Sequence, residues 1–118
     1  MTLEDLVEAL RHGVPEVHDV LLGHLSDLPG GDEFVLLSLL RERALVLFDA
    51  GLTDALDRLL ALVDRALAEG DEELADAVTS DFIAATAPWD PVMDTFVSVW
   101  PVHLRAQAAI ETARSDDS

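Results

Sequence analysis

Chemistry in this chain has to come from four histidines, 24 aspartates and glutamates and a few serines, because cysteine is absent. Thiolate nucleophiles, disulfides and zinc sites of the Cys type go with it. His12, His18 and His24 are spaced by six residues, and His103 stands apart. Six residues turn an α-helix through about 600°, so successive members of the series point in different directions and cannot form the i, i+4 pair of a zinc-binding helix. EGDEELAD, running from Glu69 to Asp76, is rich in carboxylates. It lacks the alternating oxygen ligands, central Gly and terminal Glu of a calcium loop. Ser38, Ser80 and Ser98 have no nucleophile elbow around them, and no Ser, His and Asp set follows from their order. Gly30 and Gly31 stand alone, without the rest of a phosphate loop or dinucleotide fingerprint. These residues predict no catalytic site, no metal and no cofactor.

What remains is charge. The chain has seven Arg, no Lys and a formal net charge of −17 on 118 residues. Such a field repels nucleic acid and anionic lipid and draws in cationic surfaces. The seven Arg are dispersed and form no basic patch, which excludes nucleic-acid binding. From Asp64 to Asp81 seven acids face one cation, Arg65, for a net of −6. Part of that density is helix chemistry: Asp71 is a natural N-cap, and Glu72 and Glu73 in a first turn complement the helix dipole by about 0.3–1 kcal/mol each. Glu69, near a helix C-terminus, gains nothing of that kind. The excess marks Asp64, Glu69, Asp71, Glu72, Glu73 and Asp76 as contacts for a basic protein partner. A second acidic row, Asp54, Asp57 and Asp64, is offset by Arg58 and Arg65, with Asp54 and Arg58 in i, i+4 register. The two tryptophans both neighbour proline. Trp100 is expected to close the core, while Trp89 serves equally as a core residue or as an exposed anchor at an interface.

The elements that must position these residues are helices. Thr2 caps a first helix that buries Leu3, Leu6, Val7 and Leu10 and stops at Gly13 in the left-handed C′ conformation. Pro15 opens a second, with Val17, Val20, Leu21, Leu25 and Leu28 on one face, ended by Pro29, Gly30 and Gly31. Asp32 caps a third. From Phe34 to Phe48 the chain is apolar in almost every direction, as in a central helix wrapped by its neighbours, with Leu36, Leu37, Leu40, Ala44, Leu47 and Phe48 deepest. Gly51 closes it. Thr53 caps a fourth helix with the cleanest stripe in the chain: Leu52, Leu56, Leu59, Leu60, Val63 and Leu67. After Gly70, a fifth puts Leu74, Val78, Phe82 and Ala85 on one face. Asp90 and Pro91 open another helical stretch through Met93, Phe96 and Val97, which Pro101 either kinks or divides before a helical run to about Arg114. The expectation is an all-α, compact single-domain bundle of about six helices over residues 1–114, with a frayed acidic tail over 115–118.

With those helices placed, LTDALDRLLALVDRALAEGDEELADAVTSDFIAATA, preceded by VLLSLLRERALVLF and followed by VWPVHL, resembles a family of short bacterial all-helical domains of unknown function. These are similar to small immunity proteins encoded beside secreted toxins. The resemblance spans about Pro15 to residue 104 and implies a non-enzymatic role, the binding and neutralising of a toxin or effector domain, which the acidic field predicts to be basic. It transfers no functional residue. The reading from another class is a small-molecule sensor or enzyme with a pocket between the helices. The bland reading is that acidity without Lys is a property of the host proteome. The start, MTLEDLVEAL, has acids where a secretory leader carries basic residues, which predicts a cytoplasmic protein. Arg41, Glu42 and Arg43 interrupt the longest apolar run, which predicts no membrane span.

Overall fold

The apolar periodicity is realised as helices throughout the residues that the computed structural model describes, 1–19 and 33–116, and no strand occurs among them. The expected second helix beyond Asp19, its Val20, Leu21, Leu25 and Leu28 face, His24, the Pro29–Gly31 stop and the Asp32 cap lie outside the described residues, as do residues 117–118.

Helix α1 spans Leu3–Gly13, and its start is a reciprocal capping box: Asp5 N–H donates to Thr2 Oγ1 and Thr2 N–H to Asp5 Oδ2. It buries Leu6 and Leu10, with Leu3 and Val7 packed at the margin. Gly13 does not take the left-handed conformation expected of it. Val14 is the C-cap at φ −135°, its N–H bonded to Leu10 O. A short 3₁₀ turn, Pro15–Val17, follows. Helix α2 spans Glu33–Asp49 and buries Leu36, Leu37, Leu40, Ala44 and Leu47. Phe48 is only half-buried, and Phe34 and Val46 are exposed, so the burial of this helix is concentrated on the side of Leu36, Leu37, Leu40, Ala44 and Leu47. An all-round apolar pattern does not say which side finds a neighbour.

Gly51, at φ +74°, ends α2 as predicted. Helix α3, Thr53–Glu69, begins at Thr53 itself with Leu52 in the cap position and no side-chain cap bond, which leaves Leu52 exposed. Its stripe of Leu56, Leu59, Leu60, Val63 and Ala66 is fully buried against α1, α2 and three elements that follow, making α3 the hub among the described elements. Arg58 was expected to pair with the Asp54 carboxylate. It instead gives Nε to the Asp54 backbone carbonyl and spreads its other nitrogens to Gly13 O at 3.1 Å and Glu16 Oε2 at 3.0 Å. A guanidinium there meets the negative end of the α1 dipole and a carboxylate together, and it ties α1 to α3.

Helix α4, Glu72–Ala77, runs on into a π-helical segment, Val78–Ala84. Leu74, Val78, Phe82 and Thr86 are buried, while Ala85, expected on that face, is exposed. Four residues advance an α-helix about 40° past a full turn, so three such steps would carry Thr86 about 120° off the face. The wider i→i+5 turns cancel that drift and bring Thr86 inward in place of Ala85. Hydroxyls sit at both ends of the widened segment: Thr79 and Ser80 donate to the carbonyls of Ala75 and Asp76, and Thr86 to that of Phe82 at 2.6 Å.

Ala87, at φ +58°, turns the chain sharply, and Asp90 caps a 3₁₀ turn, Pro91–Met93, that leads into the short α5, Asp94–Ser98. Pro101 divides the stretch rather than kinking it, and α6 runs Val102–Asp116, beyond the expected end at Arg114. Phe48, Phe96, Trp100 and Phe82 form a chain of edge and tilted ring contacts, with centroids 5.3, 5.6 and 5.7 Å apart, that links α2, α5 and the π segment. Trp100 is buried as expected, but its indole N–H has no acceptor among the described residues. The assembly is an all-α bundle with a radius of gyration of 13.5 Å, as a compact chain of this length requires. No helix among the described residues is long and apolar enough to cross a membrane.

Candidate interaction surface

The acidic turn is built from the end of α3, Gly70 and the start of α4. Gly70 is extended, at φ −69° and ψ 157°, and its N–H closes α3 on Ala66 O at 2.9 Å. Asp71 then caps α4, Oδ1 accepting from Leu74 N–H at 2.9 Å. The first residue of the chain is clasped onto this turn: Asp71 N–H donates to Met1 O at 2.9 Å, and the Met1 ammonium donates to Glu69 O at 2.8 Å. That contact gives the C-terminal end of α3 the positive charge that its dipole favours. The Glu69 carboxylate is bound by Arg65 Nε at 2.6 Å, an i, i+4 pair that offsets its unfavourable position.

Folding adds an acid that sequence spacing does not show. Asp5 joins Met1, Ala9, Arg65 and Glu69 around a groove of about 340 Å³. The bond from the Thr2 N–H, then the Thr2 hydroxyl, hold the Asp5 carboxyl below its ordinary value; slight burial opposes this, and the ammonium and Arg65 add to it. Because the folded value is depressed, the contribution is present above the ordinary carboxylate range and lost as pH falls through the folded value. Asp5→Asn keeps the cap but not the titration. Urea midpoints followed from neutral pH into acid are therefore expected to fall less steeply for the variant than for the parent, and parallel curves would refute the assignment.

The structure divides the residues expected at the surface. Glu72, Glu73 and Asp76 are exposed along α4 and have no ion pair among the described residues. Glu69 and Asp71 lie beside them but are engaged in the turn itself. Asp64 is turned away: its side chain is 13% exposed, Oδ1 accepts from Leu104 N–H at 2.9 Å and Oδ2 lies 2.9 Å from His103 Nδ1. It caps α6 from across the bundle, where Pro101 has no acceptor side chain to offer. Asp64→Ala is expected to cost about 1–2 kcal/mol by equilibrium unfolding, with faster amide exchange at the start of α6. Trp89 sits beyond the far end of the α4 and π helix, which is roughly 18 Å long from Glu72 to Ala84 at α-helical rise. It is 42% exposed, which decides for a surface position.

Of the histidines, His12 bonds Glu8 and His18 is exposed, and among the described residues no three His, Asp and Glu side chains converge so that they could hold a metal ion. Five arginines, 11, 43, 58, 65 and 114, are each paired with an acid. These pairs balance the cations with acids other than Glu72, Glu73 and Asp76, and leave the α4 acids uncompensated among the described residues. Comparison with protein-family models, with curated proteins and with solved structures finds no match for this chain.

Proposed function

We propose that the chain is a non-enzymatic protein-binding module that captures a basic protein domain on the acidic start of α4, and that this partner is a bacterial toxin or effector which it neutralises. The observation that carries the reading is the exposed, uncompensated set Glu72, Glu73 and Asp76, in a molecule whose arginines are largely committed to internal pairs. Neutralising a toxin needs only shape and charge complementarity, and a field of this sign accelerates the capture of a cationic partner.

The test is growth rescue and association kinetics with the product of the neighbouring gene. The chain is expected to restore growth to cells expressing that product. Glu72→Lys/Glu73→Lys/Asp76→Lys is expected to slow association by about tenfold or more at low ionic strength, a deficit that shrinks as salt screens the field. No rescue, together with association rates that ignore both salt and charge reversal, would overturn the reading.

A further inference from the structure

The helical turn between Pro91 and Pro101 carries a feature that the acidic turn does not absorb. Among the described residues, four of the eight exposed large hydrophobics fall between Trp89 and Val102: Trp89, Val92 at 80%, Val99 and Val102. Through Pro91–Met93 and Asp94–Ser98 the backbone is helical, first 3₁₀ and then α. At about 120° and then 100° per residue, Thr95 and Val99 fall within roughly 20° of Val92. Val92, Thr95 and Val99 thus form a row about 11 Å long. On one side of the row lies Phe96, which is buried; on the other come Ser98 and Asp94, both exposed. Asp90 caps the N-terminal end, next to Trp89. The sequence has no Lys or Arg between Arg65 and Arg105.

We propose that this row, with Trp89 at its head and Asp90 and Asp94 along its rim, receives a cationic amphipathic helix of a protein partner. Its apolar face lies on Val92 and Val99, and its Lys or Arg side chains reach the two aspartates. The charge selects the occupant: a second copy of a chain carrying −17 is repelled, as is an anionic lipid surface, while a basic amphipathic segment matches both halves of the row. The proposal rests on the reading that the partner is basic, and it adds what else that partner must present.

A Leu/Lys amphipathic helical peptide, titrated into the full chain, is the probe, with polylysine as the purely charged control. Trp100 is buried and Trp89 is not, so a blue shift of tryptophan emission on binding reports Trp89 and is expected to vanish in Trp89→Phe. Val92→Asn/Val99→Asn is expected to weaken the Leu/Lys peptide about tenfold, a loss of about 1.4 kcal/mol, and to leave polylysine binding unchanged. Val46→Asn, at another exposed apolar position, is expected to change neither. An equal shift with polylysine, an equal loss in Val46→Asn, or a self-associated dimer by sedimentation would sink the proposal. Binding lost in Glu72→Lys/Glu73→Lys/Asp76→Lys yet intact in Val92→Asn/Val99→Asn overturns the row alone. Binding indifferent to salt and to every variant overturns the basic-partner reading with it.

Discussion

Replacing Gly70 with alanine is expected to cost about 3 kcal/mol, at the top of the range for forcing extra atoms into a packed site. The backbone angles are ordinary for any residue, so conformational freedom is not what glycine supplies here. An added Cβ would stand 2.1 Å from Ala66 O and 3.1 Å from Leu74 Cδ2. The leucine methyl can swing away, but the carbonyl cannot, because it is the acceptor that closes α3 on Gly70 N–H. Relief requires opening the turn, and with it the contacts of Met1 with Glu69 and Asp71. Gly51 supplies the contrast, since its φ is +74° and nothing lies within 4 Å of an added Cβ. Gly51→Ala is therefore expected to cost only about 1 kcal/mol, the penalty of a left-handed alanine. Equilibrium urea unfolding of the two variants checks the difference, and equal losses would show that Gly70 matters only as a flexible joint.

Local signals in the sequence located most of what local physics decides. Thr2, Asp71 and Asp90 cap where a short polar residue precedes an apolar repeat, and the α3 stripe is buried because its spacing leaves only one face to bury. The misplaced charged side chains share a cause. Asp64 reads as a surface acid from its own helix, yet α6 arrives 40 residues later with an unsatisfied N–H and takes it inward. Arg58 is drawn from its expected partner by carbonyl and carboxylate groups more than 40 residues away, and Asp5 reaches the acidic turn from the other end of the chain. No spacing rule within one helix contains those meetings. The candidate surface was legible in charge and sign, but its division into engaged and free carboxylates was not, because that division is decided by tertiary contacts.

The π segment sets the last and most severe expectation. Phe82 is fully buried, packs its ring 5.7 Å from that of Trp100, and faces α2 from the widened turns. Phe82→Ala is expected to cost about 3–5 kcal/mol through lost burial and the cavity left behind, a large share of the roughly 5–15 kcal/mol that holds a domain of this kind together. Trp100 emission should shift to the red as its neighbour disappears. Truncation alone cannot tell which register put Phe82 inward, since α and π geometries both do so. Ala85 and Thr86 separate them. In an α-helix continued from Leu74, Ala85 points to the core and Thr86 swings off it, whereas the widened turns expose Ala85 and bury Thr86 with its hydroxyl on Phe82 O. Ala85→Glu is thus expected to change stability by no more than about 0.5 kcal/mol, while Thr86→Glu, which buries a carboxylate without a cation, is expected to cost about 3 kcal/mol or more. The reverse ranking would show that the helix keeps α-helical register through Phe82 and that the period-four burial of Leu74, Val78, Phe82 and Thr86 is not its native face.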